Sequence, residues 1–591
     1  MSGSAALGKL PEWDLSDLYP AMDSPALSAD LDAMADAAAA FKARYAGAVA
    51  TLDGAALGAA VAEFERIGET LGRIMSFAHL TYASDMSDAR IGQFFQTMQE
   101  RENAISAELL FFGLELNRIE DADLEGKLAA PELARYRPWL RDQRVFRPYQ
   151  LSDELEQALH EKRITGRAAW TRLFDETMAG LRFDLDGRKR TAEETLHLLS
   201  DKDGGKRKAA AAALAQTFQD NIRLFALITN TLAKDGEIEG RWRKHPAPDT
   251  ARHLSNQVEA EVVDALRSAV RDAYPRLSHR YYALKAGWMG VERLDYWDRN
   301  APLPEDDDRV IPWTEARDVV LDAYGRFSTD LAAIGRRFFD NAWIDAPARP
   351  GKAPGAFAHP TVPSAHPYLL LNYQGKTRDV MTLAHELGHG VHQVLAGEQG
   401  ALMAETPLTL AETASVFGEQ LTFRALLDAE TDPGRRKILL AAKVEDMINT
   451  VVRQIAFYEF ERRLHDQRRG GELTAERIGE IWLAVQGESL GPAIRLTPDY
   501  ATYWCYIPHF IHSPFYVYAY AFGDCLVNSL YAVYQNAEQG FQDKYLDMLR
   551  AGGTLRHREL LAPFGLDAGD PDFWRRGLGV IEQFIDELEA L

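Results

Sequence analysis

Six prolines, at 347, 350, 354, 360, 363 and 367, interrupt the stretch from 346 to 373 and forbid a helix there. Most of the remaining chain reads as helix, so this break is the main constraint on the fold. It leaves room for two short extended pieces, near "GAFA" and "YLLLNY", and so for a small sheet against the helix that follows. Elsewhere Ala, Leu, Glu and Arg dominate with apolar residues at helical spacing, as in "PALSADLDAMADAAAAFKARYAG" and "SDELEQALHEKRITGRAAWTRLFDETMAGL". Ser152 precedes an acidic first turn and marks a helix start. A hairpin is expected around Asp-Gly in "LRFDLDGRKRT", and a loop at "NAPLPEDDD", 300–308. At 591 residues the chain is too long for one simple core. A composition shift at "SDKDGGKRK" puts the expected boundary there, giving an N-terminal helical domain over 1–200 and a second domain over 201–591. There is no internal repeat.

From Thr377 to Leu395 the apolar residues Val380, Leu383, Ala384, Leu387, Val391, Val394 and Leu395 follow a period of 3.6 and form one helical face. His385 and His389, four apart, stack on the opposite face with Glu386 beside them. Two imidazoles at this spacing on a rigid helix can reach one small ion, and Zn²⁺ takes neutral imidazole at roughly 2.0–2.1 Å. Glu386 is poorly placed to bind the same ion but can reach a water on it, which is the HExxH arrangement of zinc peptidases. The bland alternative is a solvated polar face. His392 shares the face and reads as a structural histidine or a support for the ligands.

A catalytic zinc site usually has three protein ligands and an open position. HExxHxxGxxH would need Gly at 392 and His at 395; the chain has His392 and Leu395, so that subclass is excluded. The remaining candidates are Glu398, Glu405, Glu412 and Glu419. Glu398 and Glu405 fall in a connecting loop. Glu412 lies in the first turns of a helix begun after Pro407, followed by Ala414 and Ser415, small enough to let another helix approach. It is the preferred third ligand, although Thr409-x-x-Glu412 is also a capping-box sequence. Glu419 shares its face and would orient a ligand histidine.

A net charge of −22 speaks against nucleic-acid binding, which needs clustered Lys and Arg, and against adhesion to anionic membranes. No run of about 18 apolar residues is present, and the opening "MSGSAALGKLPEWDLSDLYP" lacks a signal-peptide core. The two cysteines, Cys505 and Cys525, read as buried or free thiols, and a cytoplasmic location is expected. No P-loop lysine signature or GxSxG elbow competes with the His-rich helix.

With "HELGH" at 385–389 and "AETASVFGE" at 411–419, the sequence resembles the oligoendopeptidase F branch of the thimet-oligopeptidase-like zinc metallopeptidases. "HPYLLLNYQGKTRDVMTLAHE", "FYVYAY" at 515–520 and the N-terminal "PEWDLSDLYP" add to the likeness, which runs through essentially the whole chain. The resemblance implies one zinc ion per chain on His385, His389 and Glu412, with Glu386 as the base. It also implies a mainly α fold of two helical halves flanking a deep channel, a zincin-type helix with a small antiparallel sheet beside it, and a catalytic domain over 201–591. The expected activity is hydrolysis of internal bonds in short unfolded oligopeptides, with an extended substrate pairing on the edge of "YLLLNY". The alternatives are a peptidase removing dipeptides from C-termini and a catalytically silent peptide-binding protein; retention of Glu386 speaks against the second. Cleavage preference and oligomeric state are not readable.

In "IPHFIHSPFYVYAY", 507–520, Pro514 suits the first helical position with Ser513 as cap. His509 and His512 are then expected on a loop, and Tyr516, Tyr518 and Tyr520 on the following helix. The resembled family draws on a histidine and tyrosines of this region to stabilise the oxyanion and grip substrate. His509 and Tyr518 are the first choices for that role, with His512 and Tyr516 behind them; Phe515 and Tyr520 are assigned to core packing.

Overall fold

The computed structural model describes residues 7–163, 165–303, 309–535 and 540–591. Residues 1–6 of the opening segment, and 304–308 of the expected loop, lie outside the described residues. The fold is largely helical, with a few small sheets, and among the described residues no helix is long and apolar enough to cross a membrane.

The chain folds as two compact units, each discontinuous in sequence: Met1–Arg147 with Asp308–Asp428 and Ala537–Gly565, and Pro148–Asp307 with Ala429–Asn536 and Leu566–Leu591. The boundary expected near residue 200 falls inside the second unit. The composition shift there marks a helix start instead: Asp203 caps Gly204–Asp220, its side chain accepting from the Gly205 N–H.

In the first unit, helix Gly54–Ser84 packs against Pro25–Tyr45 and Ala89–Ala107. The proline-rich stretch forms a three-stranded sheet. Tyr368–Tyr373 is its central strand, antiparallel to Phe357–His359 on one side and parallel to Ile344–Pro347 on the other. "YLLLNY" therefore has both edges paired, and the outer strands are Phe357–His359 and Ile344–Pro347. The third strand was not expected, because "IDAP" is too short and proline-terminated to read as one. The N-terminal segment braces this sheet: the Ala346 N–H donates to Pro11 O (2.9 Å), and Trp13 meets Tyr368 edge-on. After the sheet comes helix Thr377–Ala396, the motif helix, packed on Thr329–Asp340 and the central strand.

In the second unit the expected hairpin is present as Phe183–Leu185 paired with Arg188–Arg190. Its turn residues Asp186 and Gly187 both have positive φ, 51° and 74°, as a two-residue hairpin turn requires. Helices Pro433–Met447 and Arg453–Arg468 are joined by one π-helical stretch, Ile448–Val452. Helix Tyr518–Gln535 packs on Pro571–Ala590, where a Cβ on Gly577 would sit 2.3 Å from Cys525 O. Both cysteines are buried free thiols.

The sheet is locked by a buried ion pair. The Lys352 ammonium donates to Asp345 Oδ1 (2.9 Å) and to the Asp345, Pro347 and Leu371 carbonyls, tying the Ile344–Pro347 strand to the central one. Burial lowers the Lys352 pKa, and Asp345 works against that shift. Arg349 also pairs with the Asp345 carboxylate (2.8 and 2.6 Å), so removing Lys352 leaves that charge paired but takes the donor away from three backbone carbonyls. Lys352→Met should lower stability by about 1–3 kcal/mol, the cost of leaving buried acceptors unsatisfied, read as an earlier first transition in urea; an unmoved midpoint would reject this account.

Candidate active site

The motif helix is started by Asp379, whose Oδ2 accepts from the Gln374 and Lys376 N–H groups (2.9 Å each). Val380, Leu383, Leu387 and Val391 are buried beneath it, which leaves His385, Glu386 and His389 together on another face. At Gly388 the helix meets the segment after Pro407. A Cβ there would lie 2.4 Å from Ala414 O and 2.7 Å from Ser415 Cα, so only glycine allows the approach.

That segment forms a short helix, Leu408–Ala411, and then Thr413–Ala429, with Glu412 at the joint. Pro407 is the N-cap, so Thr409 does not stand at the capping position and the capping-box alternative for Glu412 does not hold. His385 Nε2 and His389 Nε2 lie 3.3 and 3.4 Å from one oxygen, Glu412 Oε2. Charge-assisted hydrogen bonds are shorter, about 2.7–2.9 Å. Atoms held roughly 2.0–2.1 Å from one tetrahedral ion would stand about 3.3–3.4 Å apart. The spacing is that of ligands around a shared cation, and the three donor atoms all lie within 4.8 Å of one another.

Neighbouring groups fix these donors. Glu419 Oε2 lies 3.3 Å from His385 Nδ1, which turns Nε2 toward Glu412. The Ser415 hydroxyl donates to Glu412 Oε2 (2.6 Å); sequence reading took Ser415 only as a small residue. The Tyr324 hydroxyl donates to Ala384 O (2.6 Å), one residue before His385. Burial alone would lower the His385 pKa, but its bonds to Glu412 and Glu419 outweigh this and hold it well above the ordinary imidazole range. Burial would raise Glu412; the two imidazoles pull it well below the usual carboxylate range. Burial pushes Glu386 up, against the charges of His385 and His389 and a backbone hydrogen bond from Ala358. Ala358 lies in the outer strand Phe357–His359, so this edge of the sheet adjoins the glutamate; the Gln393 amide also donates to Ala358 O (3.3 Å). His392 is buried, its pKa lowered to about 4, and it bonds the Ala411 backbone. It is a structural histidine.

The model of peptidase family M3 matches residues 330–580, and that described as Oligopeptidase F matches 115–183. Oligopeptidase PepF of Bacillus subtilis is 26% identical over 541 residues, covering 89% of this chain and 80% of its own. A peptidase crystal structure from Chlamydophila abortus superposes with a TM-score of 0.85 at 22% identity, covering 98% of both chains. Oligoendopeptidase-F from Enterococcus faecium gives 0.71 at 22% identity, covering 96% of this chain and 97% of that one. The chain belongs to peptidase family M3. It falls in the oligoendopeptidase F branch and is a metalloendopeptidase, and its His-His-Glu donor set fits the metal ion that an M3 enzyme requires.

The remaining expected residues of this M3 peptidase lie in the second unit and differ from their sequence reading. Pro514 does not start a helix. His509–His512 is itself a one-turn helix, Ser513–Val517 is a turn, and the long helix begins at Tyr518. Tyr518 is 0% exposed. Its hydroxyl accepts from Asn256 Nδ2 (2.9 Å) and lies 3.0 Å from His253 Nδ1, so it packs in the core with its hydroxyl engaged there. His512 is exposed and paired with Asp175 (2.8 Å). His509, Tyr516 and Tyr520 instead form one half-exposed cluster: Tyr516 and Tyr520 rings lie 5.2 Å apart, and His509 Nε2 is 3.3 Å from the Tyr520 hydroxyl. Phe515 is buried as expected, whereas Tyr520 is not. The four-residue spacing of Tyr516 and Tyr520, out of step with Tyr518, was the available signal.

Glu412→Ala should lose its metal at micromolar chelator while Thr409→Ala keeps it; equal retention, measured by metal analysis of the two proteins, would reject the ligand assignment. Tyr518→Phe should cost about 1–3 kcal/mol of stability, since it strands buried polar partners, and leave kcat near that of the parent. A loss of kcat without loss of stability would reverse this correction.

Proposed function

We propose that the chain is a zinc endopeptidase that hydrolyses internal bonds of short unfolded oligopeptides. The single observation that carries this reading is the convergence of His385, His389 and Glu412 at ligand spacing with Glu386 beside them. Zinc held there would act as a Lewis acid, acidifying water toward a pKa of about 7 and polarising the scissile carbonyl. Glu386 would take a proton from the attacking water and deliver it to the leaving nitrogen, as base and then acid. Glu419 keeps the His385 ring turned so that Nε2 can ligate. The outer strand Phe357–His359, whose Ala358 backbone is held by Glu386 and Gln393, stands beside the base, so an extended peptide laid along it would bring its scissile bond near Glu386. Recognition through peptide backbone suits substrates without fixed structure, such as the oligopeptides after which the PepF and oligoendopeptidase relatives are named. Substrate donors in the second unit are assigned to His509, Tyr516 and Tyr520 in place of Tyr518. Tyr520→Phe with an unchanged kcat would remove that residue from the set. A cytoplasmic site of action is part of the proposal.

The test is a fluorescence-quenched peptide blocked at both ends. Cleavage that chelator abolishes and zinc restores is the expected result. Cleavage only of peptides with a free C-terminus would make the enzyme a dipeptidyl carboxypeptidase, and binding without cleavage a silent peptide receptor. Glu386→Gln should keep its metal and lose at least about 100-fold in turnover, the size of a general-base contribution. Near-normal turnover in a metal-replete variant would sink the mechanism.

A further inference from the structure

The turn before Tyr516 is held in a conformation its residues do not favour. Phe515 has φ 61°, in the left-handed region that a bulky side chain rarely enters unless its surroundings impose it. Its N–H donates to Glu461 Oε1 at 2.7 Å. Glu461 is 2% exposed and lies on helix Arg453–Arg468. Other side chains grip the same backbone. Arg252 Nε donates to Pro514 O (3.3 Å), Arg167 Nη2 donates to Ile511 O (2.7 Å), and the Phe515 ring rests on His465 at 4.7 Å. The Arg252 guanidinium then lies 5.7 Å over the Tyr516 ring.

We propose that Glu461 is a positioning residue for turnover: by accepting from the Phe515 N–H it fixes the left-handed turn that sets where the Tyr516 hydroxyl points. This rests on the reading of Tyr516 as a substrate donor. Glu461 acts as a passive acceptor and neither transfers a proton nor touches substrate. Its second oxygen has no hydrogen-bond partner among the described residues, and Glu461 lines an apolar cavity of about 20 Å³ whose walls include Phe174, Leu464 and Phe510. Burial pushes the carboxyl well above the carboxylate range, the Phe515 N–H and Arg252 opposing and Asp249 adding to the shift.

A passive acceptor and a group acting by charge or proton transfer predict opposite mutational orders. Glu461→Gln keeps an oxygen at the accepting position, whereas Glu461→Asp keeps the acid and withdraws it by one methylene. Positioning requires Gln to be the better tolerated; a role in charge or proton transfer requires Asp. We expect Glu461→Gln to turn over like the parent. Glu461→Asp should lose about 10- to 100-fold in kcat, the cost of a misplacement near 1 Å, with KM and metal content little changed. Tyr516→Phe should itself lose about 100-fold, and in that background Glu461→Asp should cost nothing more, because its effect passes through the hydroxyl. If Glu461→Asp does not fold, Glu461→Met, equal in length and without an acceptor, carries the same expectation. The proposal is overturned if the acceptor-free variant keeps its kcat, if Gln is as damaging as Asp, or if the loss persists undiminished beside Tyr516→Phe. Full kcat in Tyr516→Phe alone overturns the reading of Tyr516, and the proposal with it; a slowed Tyr516→Phe beside an unaffected Glu461→Asp overturns the proposal only.

Discussion

At Gly388 the motif helix comes so near the Glu412–Ser415 backbone that a methyl group would stand 2.4 Å from the Ala414 oxygen. This contact sets the distance between the two ligand-bearing elements. Any larger residue would push the elements apart, and Glu412 Oε2 would leave the position it shares between His385 and His389. The imidazoles come from one rigid helix and need no further alignment with each other; the carboxylate comes from another segment and does. A glutamate side chain has three rotatable bonds, so its aim is held by the Ser415 hydroxyl and by its placement at the joint of two helices. The chemistry of the site therefore depends on a packing distance.

The same logic explains which parts of the site the sequence made legible. The stripe from Val380 to Leu395 and the four-residue separation of His385 and His389 are local, and the helix that forms over Thr377–Ala396 follows from them. Glu412 was reachable because Pro407 marks a helix start and the small residues after it permit close approach. The sheet was legible only in part. "YLLLNY" is an evident strand, but its place at the centre of the sheet depends on Ile344–Pro347, whose pairing is fixed by Lys352 rather than by its own pattern. Which strands lie outermost is a property of strand order, and strand order is not written in any one strand.

Domain organisation was misread for a related reason. A linker is inferred from composition, yet each unit here is assembled from three separated segments. The polar run "SDKDGGKRK" does local work, ending in the cap of Gly204–Asp220. The chain passes from one unit to the other five times, after residues 147, 307, 428, 536 and 565, and no composition shift like that at "SDKDGGKRK" marks these points apart from the acidic stretch at 305–308.

The hardest residues to read were those of 507–520, and their failure has an identifiable physical source. Local rules favour Pro514 at a helix N-terminus. The structure instead spends four more residues before the helix begins and puts Phe515 at positive φ. Two interactions distant in sequence override the local preference: Glu461 takes the Phe515 N–H, and Asn256 with His253 draws the Tyr518 hydroxyl into the core. With Tyr518 anchored inward, Tyr516 and Tyr520 are left half-exposed beside His509. Each unit thus contains a segment whose backbone is held by a buried ionisable side chain. Lys352 does this for the sheet beside Glu386, and Glu461 for the turn before Tyr516. Buried groups of this kind are costly unless fully partnered. Their retention at two segments of proposed function is what is expected when geometry, more than stability, is the quantity being held.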